Sequence, residues 1–251
     1  MDRDTHIGGA EDRFPLTRES VIAAVRGDDA VAREHAVEAI VAAYWKPIYK
    51  YIRLHWNAGN EEAKDLTQGF LASAMERGFF ERYVEQKASF RTYLRVCADG
   101  FVANERRAAS RLKRGGQQRI LSLDFTSADT EYGSIAPPAK DEAEAFFDRE
   151  CLRSVLERAT LALQEECAES GKQAHFQLFE RYDLRPASSG GRPTYEQLGA
   201  ECRLPVTQVT NHLAWARRAF RRHALAVLRK LCGSDDEYRD EAKRLLGFDP
   251  S

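Results

Sequence analysis

Apolar positions recur with a helical period along most of the chain. From about Ala30, Val37, Ile40, Val41, Tyr44 and Trp45 follow i, i+3, i+4, i+7, i+8, one stripe on one helix. Pro47 interrupts the run. It has no N–H to donate and disfavours helix at the residue before it, so the pattern predicts a break or kink and a second piece over Ile48–Trp56. Asn57-Ala58-Gly59-Asn60 reads as a turn, followed by a helix over about 61–77 that Gly78 ends. After a loop at 79–89, a helix from Phe90 to about Arg111 carries the stripe Phe90, Tyr93, Leu94, Cys97, Phe101 and Val102. A short helix over 17–25, stopped by Gly27-Asp28-Asp29, falls within a leader, residues 1–30.

The pattern changes at Gly115-Gly116. Thr126 to Lys140 is polar and contains Pro137-Pro138, which predicts an extended linker over 117–141. Helical spacing resumes over 142–169, with Leu152, Val155, Leu156, Ala159 and Leu163, and again over 172–182. A flexible loop at 185–193 precedes a short helix, a turn and a long helix. Tyr238, Ala242, Leu245 and Leu246 predict one more short helix in a tail, residues 233–251, which is compatible with packing on the preceding region, blocking it or binding a partner. The expected fold is therefore all-α: two small helical domains, 31–116 and 142–232, joined by the linker. Sparse Gly and Pro agree with helix.

Charge changes the picture. The net charge of -1 conceals two basic stretches. Residues 87–119 hold nine Lys/Arg against Asp99 and Glu105; residues 203–230 hold seven against no acid. A polyanion meets a local face and not a chain average, so two such faces suggest two footprints on nucleic acid. Six scattered histidines without metal-ligand spacing, and no phosphate-binding glycine loop, argue against an enzyme, a metal site or a cofactor. The five cysteines form no CxxC pair and read as buried thiols of a reducing, cytoplasmic compartment. The polar start is neither a signal nor a transit peptide, and no apolar run nears the roughly 20 residues of a membrane span.

Residues 194–222 have the pattern of a helix-turn-helix. Thr194 and Gln197 have capping-box spacing, Tyr195 and Leu198 face inward, Cys202-Arg203-Leu204 is the turn, and Pro205 starts the second helix. Val206, Val209, Leu213, Ala216 and Phe220 form its inner stripe. The opposite face presents Thr207, Gln208, Asn211, Trp215, Arg218 and Arg222. Short polar side chains near a helix N-terminus reach base edges in the major groove, and arginines further along reach phosphates. An ordinary helical hairpin with a solvated basic face is the plainer alternative. In the first half, Leu66, Phe70 and Ala74 recur at i, i+4, i+8 and are expected to bury, while Asp65 and Gln68 flank them, facing solvent or a partner. Tyr93 and Phe101 serve either as core or as stacking platforms for single-stranded bases.

Tyr44–Arg53 (YWKPIYKYIR), Glu62–Phe70 (EAKDLTQGF), Ser89–Leu94 (SFRTYL), Ala103–Ala108 (ANERRA), Lys113–Gly116 (KRGG) and the helix-turn-helix occur in this order. In that combination the chain resembles bacterial RNA polymerase sigma factors of the extracytoplasmic-function group, over roughly residues 14–232. The resemblance implies two domains, sigma regions 2 and 4, and a subunit that directs transcription initiation. Its partners would be core RNA polymerase, through clamp coiled coil and flap, and promoter DNA, with an anti-sigma protein left open. Asp65, Leu66, Gln68 and Phe70 match the clamp-docking element. Phe90, Arg91, Thr92, Tyr93 and Leu94 match the region that melts the −10 element, and Asn104, Arg106 and Arg107 the adjoining reading helix. The 79–89 loop matches the pocket for a flipped base, and 120–141 the linker threading the polymerase channel. Thr207, Gln208, Asn211, His212, Arg218 and Arg222 lie where the family meets the −35 element. Tyr93 replaces a common Trp, Arg203 a turn Gly, and Pro205 a capping Ser; Gly100 stands mid-helix. A stand-alone helix-turn-helix regulator or a helical adaptor is the alternative, but a regulator needs neither the clamp element nor the second basic aromatic helix that this sequence carries.

Overall fold

The computed structural model describes residues 20–109, 121–133, 142–185 and 192–247, which contain helices and no strand. The all-α expectation is met for these residues. They divide into two units: residues 1–154 with 228–251, and residues 155–227.

The first unit is built around α2, Ala30–His55. Asp29 caps it, its carboxylate accepting from the amides of Val31 and Ala32 at 2.9 and 3.2 Å. Residues 43–45 and 47–52 are all buried, so this stretch is enclosed on every side. The expected division at Pro47 does not occur: α2 runs through it as one helix. Proline removes the hydrogen bond that would end on the Ala43 carbonyl, four residues back. The Ser154 hydroxyl donates to that carbonyl instead, at 2.7 Å. A buried acceptor orphaned by the sequence thus finds its donor 111 positions away.

Around α2 pack α1 (Val21–Val25), α3 (Asn60–Glu76) and α5 (Phe125–Gly133), and α3 carries α4 (Phe90–Ala109). Within the leader, α1 buries Val21, Ile22 and Val25; the rest of its expected helix, 17–19, lies outside the described residues. Phe90 sits at the centre of an aromatic cluster, with Tyr44 and Tyr83 edge-on at 5.8 and 5.1 Å.

The linker expectation fails over its described part. Residues 125–133 form α5, with Leu121, Phe125 and Ala128 buried. The Phe125 ring meets Trp45 and Tyr49 edge-on at 5.4 and 5.3 Å. Asp129 binds Arg53, Tyr49 and Asn60, and Glu131 binds Lys46 and Lys50. Buried Lys50 also meets buried Glu150 at 2.6 Å. Burial alone would raise the Glu131 pKa, but its two lysine partners outweigh it and bring it to about 2. The polar residues that suggested a solvated tether are ion-pair partners for a basic face of α2. Residues 117–120 and 134–141 lie outside the described residues.

Helix α6, Ala143–Glu169, begins in the first unit, where Phe146, Phe147, Glu150 and Cys151 are buried. The region expected to open a second domain at 142 is therefore split at 154/155. The tail also groups with the first unit. It forms α10, Asp235–Glu241, and a wider helical turn over Ala242–Leu246.

The second unit packs the rest of α6, α7 (Gln173–Phe179), a wider turn over Glu180–Leu184, α8 (Tyr195–Cys202) and most of α9 (Val206–Lys230). Its core is Leu163, Cys167, Leu178, Phe179, Leu198, Val209, Leu213, Ala216 and Ala219. Of the five cysteines, none of which is paired, Cys151, Cys167 and Cys232 are buried, and Cys97 and Cys202 are half-buried.

Candidate nucleic-acid interface

The start of α8 is set locally. Thr194 accepts from the Gln197 amide at 3.2 Å, and the Gln197 side chain accepts from the Thr194 amide at 2.7 Å, a complete capping box. The helix ends at Arg203 in the left-handed region, φ 55° and ψ 44°. The Leu204 amide then returns to the Gly199 carbonyl at 2.8 Å. A side chain at Gly199 would place Cβ 2.7 Å from the Leu204 carbonyl oxygen, so the turn closes only over a glycine. Pro205 opens α9, its carbonyl accepting from the amides of Gln208 and Val209 at 2.9 and 3.1 Å.

Along α9 the inner stripe is Val209, Leu213, Ala216 and Ala219, all buried, with Phe220 packed against them. Val206 departs from expectation at 39% exposed, because it precedes the turn of helix that reaches the core. Thr207, Gln208, Asn211, Arg218 and Arg222 are exposed. They span roughly 22 Å at 1.5 Å per residue, on one side of the helix. Arg218 has no ion-pair partner among the described residues, whereas Arg222 meets Glu166 at 2.6 Å and Arg217 meets Asp183 at 2.9 Å. Burial would raise the Glu166 pKa, but His223 and Arg222 outweigh it and lower it.

Two residues expected on this face are drawn inward. The Trp215 ring stands edge-on to His175 at 5.1 Å, with the Lys172 ammonium 5.1 Å from its centroid. His212 is half-buried and stacks on His175 at 3.8 Å, each with a buried Nδ1 that lacks a partner. The His175 pKa is lowered, first by burial and then by His212 and Lys172. His212 is thus set to support the face rather than to reach from it.

The first unit treats its candidates differently. Of the clamp-like residues, Asp65 is exposed, while Leu66 and Phe70 are buried. Gln68 is turned inward, donating to the Leu121 carbonyl at 3.3 Å. Their spacing places Leu66 and Phe70 on the core side of α3, so they offer no surface to a partner in this arrangement. On α4, Phe90 is fully buried. Arg91 is 3% exposed; its Nε and Nη2 donate to both oxygens of Glu241, at 2.6 and 3.0 Å, and Nη1 pairs with Asp148. Of these two −10 candidates, Phe90 is enclosed as its place on the apolar stripe implies, and Arg91 is enclosed although it lies beside that stripe. Tyr93 is half-buried and donates to the Phe79 carbonyl at 2.8 Å. Arg106 pairs with Glu62 at 2.8 Å and lies over the Trp56 ring. Asn104 and Arg107 are exposed. The 79–89 loop is pinned by buried Phe80 and Tyr83, whose hydroxyl donates to the Ala88 carbonyl at 2.8 Å.

No protein-family model, no curated protein and no solved structure matches the chain.

The partners of Arg91 had no local signature. Ser234 and Glu237 have capping spacing, which announces α10. Nothing near them in sequence tells that Glu241 meets an arginine 150 positions earlier. Among the described residues no cluster of His, Cys, Asp and Glu is arranged to hold a metal, and no helix is long and apolar enough to cross a membrane.

Proposed function

We propose that the chain is a sigma-type promoter-specificity subunit: a cytoplasmic, non-enzymatic protein that joins core RNA polymerase and reads promoter DNA. The observation that carries this reading is α9, with Thr207, Gln208 and Asn211 exposed at its N-terminal end, Arg218 two turns further on the same side, and no acidic residue along its length. In this reading α9 enters the major groove of a −35 element. The first unit would meet the polymerase through Asp65 and the surface beside it, and opened −10 DNA through α4, where Asn104 and Arg107 are accessible. The ordered sequence motifs Asp65–Phe70 and Phe90–Leu94 support the sigma assignment over a generic DNA-binding one.

One observation favours the second reading, a stand-alone helix-turn-helix regulator. Leu66, Phe70, Phe90 and Arg91 are buried, and such a regulator needs none of them displayed. Size-exclusion chromatography with and without core RNA polymerase separates the two. A sigma subunit co-elutes with the core enzyme and gives run-off transcripts from genomic fragments, and its holoenzyme loses promoter affinity steeply with salt. A protein that binds duplex DNA by itself and ignores the core enzyme ends the sigma reading.

A further inference from the structure

We propose that segment 234–247 is an autoinhibitory strap, whose carboxylates hold the first turn of α4 closed until a DNA strand takes their place. The inference rests on the sigma-type reading.

Its acids converge on one turn. Ser234 caps α10, accepting from the Glu237 amide at 3.2 Å. That leaves the Glu237 carboxylate to accept from two other amides, Gly233 at 2.7 Å and Phe90, the opening residue of α4, at 2.6 Å. One helical turn later Glu241 takes Arg91 with two hydrogen bonds, and it is itself only 6% exposed. In the following turn Arg244 meets Asp148 at 2.8 Å, the same carboxylate that pairs with Arg91.

These are the donors a phosphodiester would use. The N-terminal amides of a helix favour an anion, and an arginine beside them grips it with two bonds. The resemblance assigns strand melting to this same turn, Phe90 to Leu94. A carboxylate and a phosphate therefore compete for one set of donors, and either occupant satisfies them. The segment is also held in a way that permits release. Only Glu241 and Ala242 of its described residues are buried, with Tyr238, Leu245 and Leu246 half-buried, so ionic and hydrogen-bonded contacts carry much of its hold. A stable structural helix of this length would bury a row of large apolar side chains instead.

Hydrogen exchange on the unmodified full-length chain tests this without any variant. The amides of Phe90–Thr92 and of 235–246 are compared in the free chain, in the complex with core polymerase, and in an open promoter complex found by run-off transcription. The expected result is protection of both stretches in the free chain and at least tenfold faster exchange of 235–246 in the open complex, with Phe90–Thr92 still protected. Unchanged protection of 235–246 in a transcribing open complex overturns the strap. In parallel, Glu237→Gln with Glu241→Gln should raise holoenzyme affinity for the single non-template strand of that promoter at least fivefold. A folded double variant with unchanged or weaker affinity also overturns it. If the chain never loads polymerase on a promoter, the sigma reading itself fails and the strap with it; if it loads and transcribes, only the strap is at stake.

Discussion

Helices α4 and α9 are both arginine-rich, yet they differ in what their arginines are free to do. On α4, Arg91 is enclosed by Glu241 and Asp148, Arg95 meets Glu144, and Arg106 meets Glu62 over Trp56. On α9, the ion pairs of Arg217 and Arg222 are exposed, and Arg218 has no partner among the described residues. Density of basic residues therefore does not measure a nucleic-acid surface. In the free chain a buried bidentate arginine such as Arg91 organises the fold, because partners that have lost their water cannot tolerate an empty place where the cation stood. An exposed arginine adds little to stability and remains available to a phosphate.

Substitutions can break this comparison. The largest effect is expected from Arg91→Ala, which leaves Glu241 and Asp148 without their buried cation; unfolding in urea should show a loss of about 3–5 kcal/mol. A loss below about 1 kcal/mol would place Arg91 among the solvated arginines and erase the contrast. Next comes Gly199→Ala, which sets Cβ against a backbone oxygen and cannot be relieved by a side-chain shift. It should cost about 1–3 kcal/mol and lower duplex DNA affinity, since the turn aims α9. Two glycine exchanges should act in the stabilising direction by up to about 1 kcal/mol each. Arg203→Gly removes a left-handed non-glycine residue, and Gly100→Ala fills a helix position with nothing within 4 Å of the new Cβ. Thermal unfolding measures both, and a fall in midpoint for either contradicts the conformation assigned to it. The smallest stability effect is expected from Asn211→Ala with Arg218→Ala, within about 0.5 kcal/mol per site. On the proposed sigma reading the same pair should abolish use of the −35 element while leaving polymerase binding intact, a divergence that sharpens the division between organising and displayed side chains.

The candidate residues were unequally legible. On α9, Thr207, Gln208, Asn211 and Arg218 follow from period alone, because a 3.6-residue repeat with a clean inner stripe forces the opposite face outward. Trp215 and His212 escaped that rule. Large rings at a stripe edge lean back over the core, toward His175 and Lys172 in their case. On α4, periodicity identified Phe90 as a stripe residue. It gave no warning that Arg91, beside the stripe, would be enclosed, because the covering residues arrive from α6 and α10.

Sequence by itself determined what depends on neighbours within a turn or two. The helical class, the Asp29 and Ser234 caps, the Thr194–Gln197 capping box and the turn after Cys202 that closes on the Gly199 carbonyl all rest on bonds between residues at most five apart. Tertiary structure alone decided the matches across distance. Ser154 supplies the bond that lets α2 continue through Pro47, α5 turns an apparent tether into a packed helix against Trp45 and Lys50, and Glu241 encloses Arg91. The reason is physical: a polar group announces that it needs a partner, but which partner it receives depends on which surfaces the apolar core brings together.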